Sequence, residues 1–313
     1  MTVFYKENSI FKYEEIEIKK VMLEDVVKEN ELLKSGKTTP LHIWCEKCDF
    51  NMILLMCETY PELDVNALDY KGRTPLHILF TQDKLSQQTV AYIISYFVLK
   101  GVDLTIKDEY GRTPLHLSCM YDMIEVTNYL LKQGECINIL DKYGKSPIYY
   151  AIEYGYIETI ELLIKEGAKI NFDNVPFQPI HIASLCKIED PIISIKIISL
   201  LVESGADVNS YHKVFKYTPL HNAVCLNKYF IVRTLLKLGA KVRSKQAGEN
   251  EPIHYAKSVR IAKELVKWGA DVNVKNDKGQ TPLTKAKLYR NKGLIDYYKS
   301  LMDTTSKPRV SCI

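Results

Sequence analysis

The sequence predicts an all-α repeat solenoid built of about eight helix-turn-helix units. A four-residue motif, Thr-Pro-Leu-His or a close variant, recurs eight times along the 313 residues, and successive prolines lie 30 to 40 residues apart. That spacing is typical of units that each form one helix pair and stack on the next. The eight motifs begin at Thr39, Thr74, Thr113, Ser146, Gln178, Thr218, Glu251 and Thr281.

A second recurring segment, which we call the second phrase, follows most of these motifs at a nearly constant distance. It consists of two apolar residues, usually Leu-Leu, then two or three further residues and a glycine, at Gly134, Gly167, Gly205, Gly239 and Gly269. A glycine in this place can adopt the left-handed conformation that ends a helix. The paired leucines, such as Leu130 and Leu131, are therefore expected to fill the core from the second helix of each unit.

The residues before the motif predict a tight turn and a helix start. Asp69, Asp108, Asp141 and Asn276 are each followed three residues later by a glycine. An Asp or Asn side chain bonds its own backbone, and glycine accepts a positive φ, so each segment is expected to form a hairpin tip. The Thr that follows can cap the first helix, and Pro suits the first helical turn.

With both phrases in register, the chain resembles the ankyrin repeat proteins over residues 36–303. The resemblance implies an ankyrin repeat array of about eight helix-turn-helix units with β-hairpin loops, in which a concave face of tips and first helices binds other proteins. The second and fifth units each contain about six extra residues, and the seventh is about three residues short.

The two ends of the chain lie outside the repeats. Residues 1–35 are expected to form an N-terminal helical cap, because apolar residues between Val21 and Leu33 fall at helical spacing and a terminal repeat needs a cover with a polar outer face. Residues 304–313 are expected to be a flexible C-terminal tail.

Composition indicates one folded domain with ordinary charge. Hydrophobic residues make up 46% and charged residues 26% of the chain, and a repeat array needs no second core as it lengthens. The net charge of +4 gives no indication of a nucleic-acid partner. The longest apolar stretch is about half of the roughly 20 residues that a membrane helix needs. We expect a monomer in the cytoplasm, with the nucleus, or a host cell for a viral protein, as alternatives.

No residue is predicted to be catalytic or to bind a metal or cofactor. Six of the seven histidines end the motif, where a ring can bridge two repeats by hydrogen bonding. His42, Cys45 and Cys48 have metal-like spacing, but the second half of a zinc motif is missing. A repeat-scaffolded metal-binding or enzymatic protein, or a purely structural array, remains the alternative to a binding module.

Aromatic and basic residues recur at aligned positions of the tips and first helices. Tyrosine and arginine are enriched where interfaces concentrate binding energy, and these exposed side chains are expected to contribute little to stability. The alternative is that the tips are polar only because water surrounds them. The predicted partner-binding residues are Tyr70, Lys71, Arg73, Tyr110, Arg112, Tyr121, Lys142, Tyr143, Lys145 and Tyr154.

The sequence therefore predicts a non-catalytic protein–protein interaction module that acts as an inhibitor, adaptor or scaffold. Uneven repeat lengths and an abundance of Ile, Tyr, Lys and Asn are similar to the ankyrin proteins of poxviruses, which implies a viral or pathogen effector acting on host signalling. The family resemblance also implies hydroxylation by an asparaginyl hydroxylase, best matched at Asn209 and Asn273. The alternative is that both asparagines only bond the loops.

Overall fold

The computed structural model describes residues 38–60, 63–82, 85–173, 175–185, 188 and 190–305. The cap predicted for residues 1–35 lies outside these ranges, as do residues 306–313 of the predicted tail. The described residues form fifteen α-helices and one 3-10 helix and contain no β-strand. The last helix includes Thr304 and Thr305, which are the first two residues of the predicted tail.

The helices form eight pairs, which we number repeats 1 to 8. The first helices are Pro40–Lys47, Pro75–Phe80, Pro114–Met120, Pro147–Tyr154, Pro179–Leu185, Pro219–Cys225, the 3-10 helix Pro252–Tyr255, and Pro282–Leu288. The second helices are Phe50–Thr59, Gln87–Leu99, Ile124–Lys132, Ile157–Lys165, Pro191–Glu203, Tyr229–Lys237, Val259–Lys267 and Lys292–Thr305. Each first helix packs against the first helix of the next repeat, and each second helix against the next second helix. The predicted solenoid is confirmed.

The motif encodes a capped helix start. In repeat 2 the Thr74 hydroxyl accepts the backbone N–H of His77, and the backbone N–H of Thr74 donates to Nδ1 of the same histidine at 3.2 Å. Pro75 occupies the first helical position, where its missing N–H costs no hydrogen bond. Threonine and histidine thus satisfy each other's backbone N–H groups at the point where a helix leaves them unpaired.

The same histidines tie each repeat to the next, as the sequence predicts. Nδ1 already accepts an N–H, so Nε2 carries the proton and donates it to a backbone carbonyl of the following tip. The bonds run from His42 to Arg73 at 3.0 Å, His77 to Arg112 at 3.2 Å, His116 to Lys145 at 3.2 Å, His181 to Tyr217 at 3.1 Å, His221 to Asn250 at 3.1 Å and His254 to Gln280 at 3.1 Å. Both bonds require a neutral ring, and burial lowers the pKa of all six histidines.

Repeat 4 is bonded to the next repeat by a different side chain. Tyr149 stands where repeats 1 to 3 and 5 to 7 have histidine, and its hydroxyl donates to the Phe177 carbonyl at 2.6 Å. The ring is only 1% exposed, and burial raises the pKa of the hydroxyl. A buried tyrosine therefore substitutes for the histidine bridge between repeats 4 and 5.

The expected role of Leu131 is wrong by one position. Leu130 is fully buried, whereas Leu131 is only partly buried. The fully buried leucine stands four residues before the glycine in every one of these repeats, at Leu130, Leu163, Leu201, Leu235 and Leu265. Repeats 3, 6 and 7 have two residues between the apolar pair and the glycine, and repeats 4 and 5 have three. In repeat 3 it is therefore the first leucine, not the second, that lies fully in the core.

The irregular repeats change helix length rather than the order of the stack. The second helices of repeats 2 and 5 have 13 residues, against 9 in repeats 3, 4, 6 and 7. Much of each insertion therefore forms an extra helical turn. The three missing residues of repeat 7 shorten its first helix to the four-residue 3-10 helix Pro252–Tyr255.

The predicted hairpins are tight turns, and backbone hydrogen bonds link neighbouring turns. The Asp69 N–H donates to the Arg73 carbonyl at 2.9 Å, and the Gly72 N–H donates to the Asp69 carbonyl at 3.1 Å. One further backbone bond, from the Glu109 N–H to the Lys71 carbonyl at 3.0 Å, links this turn to the next. Gly72 has a φ of 70°, which is the left-handed conformation that the sequence predicts for it.

Among the described helices, none combines the length and the apolar character that crossing a bilayer requires.

Candidate protein interface

A buried aspartate organises each regular tip. Oδ1 of Asp108 accepts the backbone N–H groups of Tyr110 and Arg112, both at 2.9 Å. Asp69 and Asp141 form the same pair of bonds in their own tips. These bonds fix each turn from inside and leave its tyrosine exposed, although Tyr110 and Tyr143 donate one of the bonds themselves, whereas Tyr70 directly precedes the bonded Lys71. We call the surface formed by the tips and the first helices the inner face, and the surface of the second helices the outer face.

Three of these tyrosines stand in a row along the edge of the inner face. Tyr70 is 71% exposed, Tyr110 42% and Tyr143 63%. Their tips are held together by the backbone bond from Glu109 to Lys71 and by the next one, from the Lys142 N–H to the Tyr110 carbonyl at 3.0 Å. The three linked tips thus carry Tyr70, which directly follows its aspartate, and Tyr110 and Tyr143, which stand one position later in their turns; we call these three residues the tip row.

The two arginines predicted beside the tip row are engaged inside the fold. Nε and Nη2 of Arg73 lie 2.8 Å from Oδ2 of Asp69, and Arg112 holds Asp108 in the same way. The side chains are only 26% and 17% exposed, respectively. The expectation that these tip arginines contribute little to stability is therefore wrong, because each one neutralises a buried carboxylate.

The three lysines among the predicted partner-binding residues differ in the contacts that they form. Lys145 donates to Glu153 at 2.7 Å, and Lys142 donates to the Glu109 carbonyl at 2.7 Å. Lys71 lies over the Tyr70 ring with its Nζ 5.3 Å from the centroid. All three accompany the tip row as polar neighbours.

Tyr121 and Tyr154 occupy matching places at the ends of two adjacent first helices. They are 41% and 46% exposed, and Tyr154 stacks on Tyr156 with 5.8 Å between ring centroids. The preceding aromatic of repeat 4, Tyr150, turns inward, and its hydroxyl donates to Oδ2 of Asp141 at 2.6 Å. Tyr150 thus takes the place of the missing arginine in this tip.

A second aromatic surface crosses repeats 5 to 7 and lies outside the predicted site residues. Successive ring centroids are 4.5 Å apart from Phe177 to His212, 5.2 Å from His212 to Phe215, 6.3 Å from Phe215 to Tyr217 and 6.1 Å from Tyr217 to Tyr255. We call these five residues the aromatic ladder. A position-by-position comparison of the repeats points to part of it, because Tyr217 precedes the motif as Arg73 and Arg112 do.

The seventh histidine belongs to this ladder and has a structural role. Nδ1 of His212 accepts the backbone N–H groups of Val214 and Phe215, both at 3.2 Å. It therefore accepts the bonds that an aspartate accepts in the regular tips. In this loop Val214 is 66% exposed and Phe215 is 56% exposed. Burial lowers the pKa of the ring, which keeps Nδ1 free to accept.

Two cavities open beside the C-terminal end of the ladder. One of about 440 Å³ lies between the tips before repeats 7 and 8 and is lined by Asp277, Lys278, Lys285 and Leu288 among others. The other, of about 240 Å³, is lined by Tyr255, Lys257, Tyr289 and their neighbours. Both are large enough for a side chain.

The two asparagines predicted as hydroxylation sites differ in their bonding. Asn209 donates from Nδ2 to the Gly239 carbonyl at 3.1 Å and accepts the Lys241 N–H at 2.7 Å. The structural role weighed for this asparagine is therefore present, and Asn66, Asn138 and Asn171 form similar bridges. Asn273 is exposed in the segment between repeats 7 and 8. Only its backbone N–H is bonded, and it donates to Oδ1 of Asp271.

The residues with metal-like spacing are used for packing. Both ring nitrogens of His42 are bonded within the protein, and Cys45 is fully buried. Within the described ranges, no three or more His, Cys, Asp or Glu side chains are grouped to hold a metal ion.

Comparison with known proteins places both halves of the described region among ankyrin repeats. A family model described as ankyrin repeats (3 copies) matches residues 84–174, and a model described as ankyrin repeat matches residues 215–246. The solved structure of the human ASB11 ankyrin repeat domain superposes with a TM-score of 0.61 at 22% identity, covering 73% of this chain and 97% of that one.

Two curated relatives illustrate the range of similar sequences. The B-cell lymphoma 3 protein homolog of Mus musculus is 26% identical over 237 residues, which is 73% of this chain and 50% of that protein. The putative ankyrin repeat protein FPV222 of Fowlpox virus is 30% identical over 102 residues, which is 31% of this chain and 14% of that protein. The chain thus spans half or less of the length of both relatives.

Proposed function

We propose that this chain, which is an ankyrin repeat protein, binds another protein through its inner face and catalyses no reaction itself. The tip row carries this proposal, because Tyr70, Tyr110 and Tyr143 are exposed on tips whose turns are fixed by buried aspartates. Tyrosines on a rigid frame supply contact area with little loss of conformational entropy on binding. In this role the chain acts as an inhibitor, adaptor or scaffold.

The setting of this activity is part of the proposal. We infer a monomer in the cytoplasm, with the nucleus as the alternative compartment. Action as a viral or pathogen effector in a host cell stays a prediction, because the curated relatives include a mouse protein as well as a fowlpox virus protein.

Affinity capture with a tip-row variant tests the proposal. The variant replaces Tyr70, Tyr110 and Tyr143 by Ala and is compared with the unmodified chain in lysate from the cells in which the protein occurs. We expect the unmodified chain to retain a specific protein and the variant to lose it at an unchanged melting temperature. Losing a few aromatic anchors, each contributing about 2 kcal/mol or more, is sufficient to abolish capture.

The control replaces Lys132 and Lys165 by Ala. Both are exposed near the ends of second helices, in repeats 3 and 4, on the outer face. Loss of the partner by this control and retention by the tip-row variant would place the binding surface on the outer face.

The metal-binding alternative has its own measurement. Elemental analysis of the purified chain and of a variant with Cys45→Ser and Cys48→Ser separates the two functions. A stoichiometric metal ion that disappears in the variant would favour a metal protein over a binding module.

A further inference from the structure

Charge is divided unevenly along the repeats. Residues 38–173 contain 12 Lys and Arg against 19 Asp and Glu, whereas residues 211–305 contain 19 against 7. The small overall charge of +4 therefore combines an acidic N-terminal half with a strongly basic C-terminal half. A surface with one sign of charge attracts partners of the other sign and accelerates their association.

Several of these cations stand beside the two cavities of repeats 7 and 8. Lys278 and Lys285 line the larger cavity, and Lys257 lines the smaller one. Among the ion pairs of the described residues, none involves any of the three. Asp277 is the acidic residue at the larger cavity, so the cations outnumber the anions at this end of the inner face.

Apolar and aromatic groups lie between these cations. Leu288 is 64% exposed and Tyr289 68% exposed, and each contributes to the wall of one cavity. Tyr255 connects them to the aromatic ladder, with Nζ of Lys285 5.8 Å from its ring centroid. The smaller cavity thus suits an apolar side chain, whereas the larger one, lined mainly by polar and charged residues, presents the ammonium groups of Lys278 and Lys285 to a carboxylate.

We propose that the inner face of repeats 6 to 8 binds an extended acidic segment of the partner protein, with an apolar side chain in the smaller cavity and carboxylates beside the lysines of the larger one. This C-terminal docking surface consists of Tyr217, Tyr255, Lys257, Lys285, Leu288 and Tyr289. The inference rests on the proposed function, because it names the chemistry of one segment of the partner and a second part of the inner face, beyond the tip row, that contacts it. Three repeats stacked at about 8–10 Å span the length of roughly eight extended residues.

A direct binding assay on the full chain tests this proposal. The probe is a fluorescein-labelled peptide of about nine residues, in which Glu and Ser alternate with one Leu and one Trp. A second peptide has Gln in place of each Glu. Measured by fluorescence anisotropy, the acidic peptide is expected to bind at least about tenfold more tightly than the neutral one, with an advantage that shrinks as salt is added.

Charge-reversal variants locate the site. Lys257→Glu with Lys285→Glu is expected to weaken binding of the acidic peptide by about tenfold or more. The matched control, Lys237→Glu with Lys267→Glu, changes the net charge equally on exposed positions of the outer face and is expected to weaken binding by less than about twofold. Lys257→Gln with Lys285→Gln, a milder pair, gives the same ranking if the reversed pair fails to fold.

Three results would overturn the proposal. Equal losses in the inner-face and outer-face pairs would mean that only bulk charge attracts the peptide. Tighter binding of a single-stranded DNA oligonucleotide than of the acidic peptide would assign the surface to nucleic acid. A concentration-dependent dimer in sedimentation that Lys257→Glu with Lys285→Glu abolishes would assign it to a second copy of the chain.

The outcome is separable from that of the proposed function. If the unmodified chain captures a partner and the Lys257, Lys285 variant captures it equally well, this inference fails while the proposed function stands. If the unmodified chain captures no partner, the proposed function fails whatever the peptide does.

Discussion

The guanidinium group of Arg112 lies against the carboxylate of Asp108, four residues earlier, with Nε 2.8 Å and Nη2 2.7 Å from Oδ2. The other oxygen of Asp108 accepts two backbone N–H groups of the same tip, and its side chain is 1% exposed. Arg112 also covers the Tyr110 ring at 4.6 Å from the centroid. One ion pair therefore closes the turn and positions the tyrosine that we propose for binding.

Replacing Arg112 by Ala should destabilise the array by about 2 kcal/mol or more, because a buried carboxylate loses its charged partner. Replacing Tyr110 by Ala should cost about 0.5 kcal/mol or less, as at other exposed positions. Urea unfolding of both variants measures the difference, with Arg112→Lys expected in between. Equal midpoints for the two alanine variants would contradict the role assigned to the ion pair.

Leu130→Ala should cost roughly 2 to 5 kcal/mol, because it leaves a cavity at a fully buried position. Leu131→Ala removes the same atoms from a partly exposed position and should cost about 1 kcal/mol or less. The two variants form a matched pair for chemical denaturation. The reverse order would show that the second helix of repeat 3 is rotated relative to the structure.

Stability should fall as the pH drops from about 6.5 toward 4. Burial lowers the pKa of His116, His181 and His221 from 6.5 to about 4, so in this window the unfolded chain binds protons that the folded chain does not. The neutral rings contribute their full amount to the free energy of unfolding above pH 6.5. Below that pH the contribution decreases, and at about pH 5.5 each histidine has lost about 1 kcal/mol of it. Urea midpoints at several pH values measure the loss. An NMR titration that finds these rings protonating near 6.5 would rule out this explanation.

Glu135→Ala should stabilise the protein at neutral and alkaline pH. Burial, assisted by nearby Asp103, raises the pKa of Glu135 to about 8, and its Oε1 has no hydrogen-bond partner. Because this pKa lies above the ordinary 4.5, the carboxyl lowers stability progressively as the pH rises from 4.5 to 8. The corresponding residue of repeats 4 to 7 is alanine, at Ala168, Ala206, Ala240 and Ala270.

The gain from Glu135→Ala should reach about 1 kcal/mol or more near pH 8 and shrink below pH 4.5. Glu135→Gln removes the charge and keeps the shape, so it should share this pH dependence. If the melting temperatures of the unmodified chain and of the Glu135→Gln variant differ by the same amount at every pH, charge burial is not the cause.

Asparaginyl hydroxylation should favour Asn273 over Asn209. The enzyme must reach the side chain, and Asn209 is held by two hydrogen bonds to the next connection, whereas Asn273 is exposed. Peptide mass spectrometry after co-expression with an asparaginyl hydroxylase measures the added oxygen at each site. Modification of Asn209 alone would contradict the order, and modification of neither would remove the prediction.

The sequence alone determined the repeat number, the phase and the role of each motif residue. Thr74, Pro75 and His77 act within one turn of chain, and local bonds of this kind depend on spacing that can be read directly. The left-handed glycines follow from the same local logic. The tip tyrosines were predicted as exposed for the same reason, since the Asp-x-x-Gly turn fixes their direction by itself.

Only the tertiary structure decided which side chains remain available at the surface. Arg112 was predicted to face a partner, but Asp108 in the same tip holds its side chain, and the burial of that carboxylate depends on how the tip packs against the stack. The aromatic ladder joins Phe177, Tyr217 and Tyr255 from three repeats, and no motif shows that these rings contact one another. A repeat pattern specifies what recurs within each unit, whereas the contacts of this surface form between units and exist only when the repeats stack.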